Sequence, residues 1–327
     1  MALNIETELA RYTPRKPTLL TIGVFDGVHL GHRRLLDHLI TRAKEKGCLA
    51  GVVTFKTHPE KVLNRHRAIP WISPLPERVR LLKAAGLDVV APVTFTRELA
   101  GLTPKEFVLL LQKHLRMCDL VLGPDFALGR HRQGTPEYLQ ALGEGLGFRV
   151  EVVKAARLSG EVISSSAIRQ LLSEGNVVKV KDMLGRYFSL EGIVVTGDRR
   201  GRTLGFPTAN LKVHAEQAMP KDGIYASITH LADRSLASVT NIGVRPTFKG
   251  HKHLIETYIF DFDGDIYRRK IRVELVAGLR DEMKFSNVEE LIIQMKKDVE
   301  KAKEILEKIP KSKFQNPNNQ EIPSSKQ

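Results

Sequence analysis

This sequence is poor in the residues that support disulfide, metal-thiolate or membrane chemistry. Its 327 residues hold two cysteines, Cys48 and Cys118, too few for a disulfide framework or a zinc cluster. A thiol-reducing, cytoplasmic setting is the expectation. Aromatic residues make up 6% with one tryptophan, and no aromatic-plus-basic strand of the kind that reads RNA is present. No run approaches the roughly 18 apolar residues that cross a bilayer. Glu6, Glu8 and Arg11 stand where an export signal would carry its apolar segment, so export is not expected. Long blocks of one charge are also missing, although 51 lysines and arginines oppose 37 acidic residues for a formal charge of +14. That surplus favours anionic partners such as nucleotides, nucleic acid or a lipid surface, and a basic solvated surface would give the same count.

What is present is ordinary globular composition, 42% hydrophobic and 27% charged, at a length that suits about two domains. In the first half, short apolar runs alternate with helical spacing. Strands are expected at Leu19–Phe25, Leu49–Phe55, Asp88–Val93, Leu120–Leu122 and Phe148–Val153. Helices are expected at about Leu30–Lys46, Glu77–Ala85, Pro104–Leu115 and Pro136–Leu142. Such alternation implies an α/β domain with a doubly wound parallel sheet. After about Lys181 glycines punctuate short β-branched runs at Ile193–Val195, Ile255–Phe262 and Ile271–Leu275, the pattern of a small antiparallel β-barrel. Asp263-Gly264 between two of these runs reads as a tight hairpin. Val288, Leu291, Ile292, Met295, Val299, Ala302, Ile305 and Leu306 recur at helical spacing, so a long C-terminal helix should pack on the barrel. The break is placed near residues 173–185, giving domains 1–180 and 181–309, and residues 310–327 read as a disordered tail rich in Asn, Pro, Gln, Ser and Lys.

Two segments look chemical. Asp26-Gly27-Val28-His29-Leu30-Gly31-His32 follows the first strand and opens a helix. In a parallel sheet ligands gather beyond the strands' carboxyl ends, and helix-start amides favour an anion. His29 and His32 share one face of the first turn and can hydrogen-bond an α-phosphate as charge builds on it. Two unrelated surface histidines, or a metal pair lacking a third ligand, are the alternatives. Ile163-Ser164-Ser165-Ser166-Ala167-Ile168-Arg169 offers three hydroxyls and an arginine at another helix start. That suits either plain capping or a triphosphate tail.

The second segment runs from Gly197 through Gly201 and Gly205 to Thr208-Ala209-Asn210. Glycines at every fourth position suit a loop pressing its amides on phosphate. A Gly-Lys-Ser/Thr ending is missing, which excludes a P-loop. Thr208 and Asn210 offer neutral oxygens for magnesium held largely by ATP and water. Glu256, at the head of a strand-like run, can act as general base for a hydroxyl attacking a γ-phosphate, or it can be a solvated edge residue. Asp261, Asp263 and Asp265 imitate a calcium loop, but Ile266 occupies its glycine position.

FDGVHLGH resembles the HxGH signature of the nucleotidyltransferase superfamily, and ISSSAIR its second, phosphate-binding motif. More narrowly, both resemble the adenylyltransferase half of bacterial bifunctional riboflavin kinase/FAD synthetase, with support from Thr54–Pro59, Glu77–Leu82, Gly123–Phe126 and Gly129. GRTLGFPTANL, Asp222–Tyr225, Asn241–Phe248, IFDFDGDIY and Leu279–Glu282 with Lys284-Phe285 resemble its riboflavin kinase half, so the likeness spans about residues 17–305. The resemblance implies ATP at Gly23, Phe25, His29 and His32, and its phosphates at Ser165, Ser166 and Arg169. It implies FMN beside His58, Pro59 and Asp125, a catalytic base at Glu256, magnesium and phosphate at Thr208 and Asn210, and flavin beside Arg280. The implied chemistry is riboflavin to FMN, then FMN to FAD, with ATP as substrate of both steps. The implied partners are small molecules, with neither nucleic acid nor membrane, for a monomer or weak homo-oligomer. A kinase carrying a weakly active or non-catalytic nucleotide-binding domain is the alternative, and a basic nucleic-acid binder a more distant one. Thr57 replaces a usual proline, Ala127-Leu128 a pairing that ends in phenylalanine, and Arg268 a common glycine.

Overall fold

A computed structural model describes residues 4–64, 69–197, 201, 204–247, 250–310 and 312–315. Asp198, Arg199, Arg200, Arg202 and Thr203 of the glycine loop, Phe248, and most of the expected tail lie outside the described residues. The chain divides into two compact units between Ser165 and Ser166, earlier than the change in sequence texture near 173–185.

The first unit is built on five parallel strands, β1 (Thr18–Ile22), β2 (Leu49–Phe55), β3 (Val89–Val93), β4 (Met117–Leu122) and β5 (Arg149–Val152), in the order β3-β2-β1-β4-β5. Alternate residues along a strand point to opposite faces, and here both faces are covered. Leu19, Val52 and Val121 pack with Leu36 and Leu39 of α2 (Leu30–Glu45) and with Leu81 and Leu82 of α4 (Leu75–Ala84). Leu20, Val53 and Leu120 pack on the other side with Phe107 and Leu111 of α6 (Pro104–Leu115) and Leu139 of α7 (Pro136–Leu146). Burial on both sides explains why these strands read as unbroken apolar runs. The remaining helices here are α1 (Ile5–Ala10), α3 (Pro59–Leu63) and α5 (Arg97–Gly101), and a short antiparallel pair, β6 (Arg157–Leu158) and β7 (Glu161–Val162), comes after β5. Strand order reverses at β1, whose neighbours are β2 and β4, and this creates the crevice where such sheets bind ligands.

The second unit opens with α8 (Ser165–Ser173) and α9 (Val177–Leu184), the former straddling the division. The backbone N–H of Lys221 donates to Leu172 O at 2.9 Å, tying α8 to the barrel unit. A closed barrel is formed by β8 (Phe188–Val195), β9 (Thr208–Val213), β10 (Gly223–His230), β11 (Ser235–Thr247), β12 (Gly250–Ile259) and β13 (Lys270–Arg280), in the order β10-β11-β12-β9-β8-β13. Its interior holds hydroxyls. Ser227 bonds Ser238 and Thr240 at 2.8 Å, Thr229 bonds Ser238 at 2.9 Å and Thr240 bonds Thr257 at 3.0 Å. All five residues are sealed from water, and mutual bonding removes the penalty each would incur alone. Outside, Ala226, Ile228, Val276 and Leu279 receive Ala302 and Leu306 of the C-terminal helix, Val288–Leu306.

Three expectations need correction, and one noted departure, Arg268, acquires a structural setting. Asp263-Gly264 does not close a hairpin, because β12 pairs with β11 and β9 while β13 pairs with β10 and β8. The segment joins strands that are not neighbours. β12 ends at Ile259 rather than Phe262, with Asp261 left-handed at φ 51°, and Glu256 lies well inside the strand. Within the expected tail, Ser312–Gln315 forms a helical turn whose Phe314 packs on the barrel's apolar patch. Arg268, outside every motif on sequence, sits at φ 62° and donates its N–H to Val194 O at 2.9 Å.

A left-handed backbone costs a residue with a side chain about 1–2 kcal/mol, and glycine gives part of that back as unfolded-chain entropy. Arg268→Gly should therefore stabilise the protein by about 0.5–1 kcal/mol, read as a higher urea midpoint.

Candidate active site

In the first unit the chain leaves β1 and turns sharply before α2. Phe25 is left-handed at φ 52°, and Asp26–Val28 make one 3-10 turn. Asp26 is buried, and its two carboxylate oxygens accept the N–H groups of Ile72 and Ser73, each at 3.0 Å. Its carbonyl accepts Ser165 Oγ at 3.0 Å. Gly23 donates its N–H to Val53 O at 3.0 Å, and the Phe25 ring covers its Cα.

His29 caps α2. Its Nδ1 accepts the backbone N–H of His32 at 3.2 Å, so the neutral ring carries its proton on Nε2. The rings of His29 and His32 stack with centroids 3.6 Å apart, and Phe25 lies 5.0 Å from His32. His32 Nδ1 is sealed from water with no partner. Burial, then the nearby charges of His29 and Arg78, hold the His32 pKa well below the usual imidazole range. The neutral His32 imidazole, stacked on His29 beyond the carboxyl end of β1, can donate a hydrogen bond to a phosphate.

Around this pair the expected residues divide. His58 caps α3, its Nδ1 accepting the Glu60 N–H at 3.3 Å, and its ring lies 5.3 Å from Trp71. Pro59 starts α3. The Asp125 side chain is exposed beyond β4, with its carbonyl 3.4 Å from Arg132 Nη2. Ser166 and Arg169 lie on α8 in the second unit. Leu128, one of the departures, is buried in the core beside Phe107 and Leu139; nothing in the structure explains Thr57. The sequence pattern assigned no role to Trp71 or Arg78, both buried beside this site, although Arg78 lies in the Glu77–Leu82 segment that supports the resemblance.

In the second unit the candidate polar side chains lie on one face of a strand pair. β9 and β12 run antiparallel with Asn210 opposite Glu256 and Thr208 opposite Tyr258, and Asn241 of β11 faces Glu256 from the other side. Directly opposed residues share a face. Thr208, Asn210, Asn241, Glu256 and Tyr258 accordingly line one cavity of about 530 Å³, a size that fits a small-molecule site. Its other wall includes Arg280, Glu282, Phe285, Met295 and Asp298. Thr208 also lines a second cavity of about 530 Å³ with Phe262, Asp263, Ile266 and Tyr267.

The glycine frame has a steric purpose that its spacing did not reveal. A Cβ on Gly197 would fall 2.3 Å from Asn210 Nδ2, and one on Gly201 would fall 2.3 Å from Phe206 O and 3.2 Å from Thr208 Oγ1. These glycines let the loop press on the two polar side chains; Gly205 lies exposed further along it. Asn241 Oδ1 is buried with no partner. With the Thr208 and Asn210 oxygens beside a carboxylate, the donor set fits a hard divalent cation. Burial pushes the Glu282 carboxyl pKa upward, with Asp222 adding and Arg280 opposing. Asn241, Glu282 and Asp298 carry no role that their sequence surroundings disclose, because only the closed barrel brings them to the cavity.

A doubly wound parallel sheet of the nucleotidyltransferase kind is thus joined in one chain to a small closed antiparallel barrel. Residues 12–167 match the FAD synthetase family and residues 184–306 the riboflavin kinase (flavokinase) family. The bifunctional riboflavin kinase/FMN adenylyltransferase of Escherichia coli K12 is 38% identical over 89% of this chain and 93% of its own length. That of Bacillus subtilis 168 is 34% identical over 87% and 91%. A crystal structure of a macrolide-efflux protein from Streptococcus pneumoniae superposes with a TM-score of 0.83 at 31% identity, covering 90% of this chain and 96% of that one. Among the described residues here, no helix is long and apolar enough to cross a membrane. The chain belongs to the bifunctional riboflavin kinase/FMN adenylyltransferase family.

This geometry carries two expected outcomes. Folded His32 refuses a proton that the unfolded chain accepts below its ordinary value of about 6.5. Its contribution is absent above roughly pH 7, and stability falls as the pH drops below about 6.5. His32→Gln should flatten that loss by about 1 kcal/mol between roughly pH 7.5 and 5.5, read as urea midpoints. Gly197→Ala should displace the Asn210 amide and lower FMN formation by about 100-fold, while supplied FMN is still converted to FAD.

Proposed function

We infer that the barrel transfers the γ-phosphoryl group of ATP to riboflavin, giving FMN and ADP. The first unit then transfers AMP from a second ATP to FMN, giving FAD and pyrophosphate. The observation that carries the reading is the single cavity with Thr208, Asn210 and Glu256 on one wall and Arg280, Phe285 and Met295 on the other.

Glu256 takes the proton of the ribityl primary hydroxyl as that oxygen attacks the γ-phosphorus. Arg280, with its guanidinium 5.8 Å from the Phe285 ring centroid, borders the flavin, and the apolar wall excludes water from the ring. The second cavity shares Thr208 and takes the nucleotide, so that phosphate lies between the two pockets. Thr208 and Asn210 are the residues that would hold magnesium, whose contribution there is to neutralise charge on the phosphoryl oxygens. Gly197 and Gly201 keep the loop close to them.

In the first unit, His29 and His32 donate hydrogen bonds to the α-phosphate oxygens as charge builds there. Gly23 and Phe25 bound the ATP, while His58, Pro59 and Asp125 border the FMN. Ser165, Ser166 and Arg169 supply hydroxyls and a cation for the leaving pyrophosphate. No covalent intermediate is needed, because the FMN phosphate is itself the nucleophile. The chain acts in the cytoplasm on small molecules, a reading its two free cysteines support, as a monomer or weak homo-oligomer. Residues 1–180 serve the adenylyl transfer and residues 181–309 the kinase step.

Riboflavin, ATP and magnesium supplied together should yield FMN and then FAD; FMN alone would leave the first unit without its assigned activity. Glu256→Gln should lower FMN formation by about 10²–10⁴-fold and spare conversion of supplied FMN. The double variant His29→Ala, His32→Ala should do the reverse, so that FMN accumulates. Chromatography of the products reads both.

A further inference from the structure

Beside the first site lies a cation that the proposed chemistry leaves unused. Arg78, on α4, is 0% exposed. A dry guanidinium is costly unless something holds it. Here Nη2 donates to the Phe55 carbonyl at 2.6 Å, and the guanidinium lies over the indole of Trp71, 4.3 Å from the ring centroid. Nε and Nη1 are buried with no partner. Burial pulls the pKa down to about 10, opposed by Asp26, so the charge persists at neutral pH. Two of its nitrogens unbonded make this a poor choice for stability alone, since a well-packed apolar side chain fills such a volume at lower cost.

The groups it holds lead to both substrate loops. Phe55 is the last residue of β2, and the loop beyond it carries His58 and Pro59. The His58 ring returns to within 5.3 Å of Trp71. The two amides after Trp71, those of Ile72 and Ser73, donate to the carboxylate of Asp26. Asp26 opens the turn that sets His29 at the start of α2, and its carbonyl holds Ser165 Oγ. One buried chain of contacts therefore runs from the end of β2, through Arg78 and Trp71, to the turn after β1.

We infer that Arg78 and Trp71 are a positioning pair for adenylyl transfer, fixing the loop after β2 and the turn after β1 at one separation. The inference rests on the adenylyltransferase reading above. Arg78 meets neither substrate and acts through Phe55, Trp71 and Asp26. In-line attack of one phosphate on another tolerates little displacement, and about 1 Å of misplacement costs on the order of 100-fold in rate.

Arg78→Met keeps most of the volume and removes the cation; Arg78→Lys keeps a cation and one donor for the Phe55 carbonyl. Both are made in the full chain and supplied with FMN, ATP and magnesium. Trp71 is the only tryptophan and is 5% exposed, so its emission reports whether the site itself is folded. Arg78→Met should lower kcat for FAD formation about 100-fold, with both KM values within about threefold of the parent and Trp71 emission still that of a buried indole. Arg78→Lys should recover at least about tenfold of the loss, and FMN formation from riboflavin should stay at the parent rate in both. Three outcomes overturn the inference: kcat within about threefold of the parent in Arg78→Met, a rise in KM without loss of kcat, or Trp71 emission moving to that of unfolded chain as kcat falls. A parent protein that makes no FAD would instead overturn the adenylyltransferase reading.

Discussion

The barrel's chemistry depends on one register. Asn210 lies opposite Glu256 and Thr208 opposite Tyr258 across β9 and β12, so side chains from two strands far apart in sequence reach a common face. Side chains alternate with a period of two, and a slip of one residue would turn the whole set to the other side of the sheet. The interior face of β12 carries Thr257, sealed within the hydroxyl network. Slippage would therefore both empty the cavity of its carboxylate and bury that carboxylate among groups arranged for a hydroxyl. Stability of the core and placement of Glu256 are the same constraint.

The first unit solves a similar problem differently. Its two histidines sit at a helix start beyond a parallel strand, where the first amides lack partners within the helix and His29 caps one of them. Precision comes from ties behind the loop. Asp26 uses its carboxylate on Ile72 and Ser73 and its carbonyl on Ser165. The acidic residue of the motif ties the turn after β1 to Ile72, Ser73 and Ser165.

Much of this was legible in the sequence. Leu49–Phe55 and Pro104–Leu115 are bounded as their patterns imply, since a strand covered on both faces is continuously apolar and a Thr-Pro-Lys-Glu start signals a capped helix; Thr103 and Glu106 do form that capping box. The barrel and its long helix are announced by a change of period. Strand order was not legible. Asp263-Gly264 has the composition of a tight turn, yet its flanking strands belong to different neighbours, and local composition carries no information about which distant strand completes a pair. The glycines at 197 and 201 stand out by their spacing, but their cause, contact with Asn210 and Thr208, exists only after β9 is paired. Arg268 gives no local signal for the same reason: its left-handed backbone is imposed by the path to β13.

Residue type and short-range spacing alone singled out the candidate groups, two histidines at a helix start and a Thr–Asn pair with a distant glutamate, because such patterns are local. The tertiary structure decided which of those groups share a cavity and what stands behind them. Arg280 reached the cavity through its hold on Asp298, with contacts of 2.8–3.1 Å across to the C-terminal helix. Arg78 came to lie under Trp71 through the packing of α4 on the sheet. Those arrangements depend on long-range closure, whose energy comes from burying surfaces that are far apart along the chain.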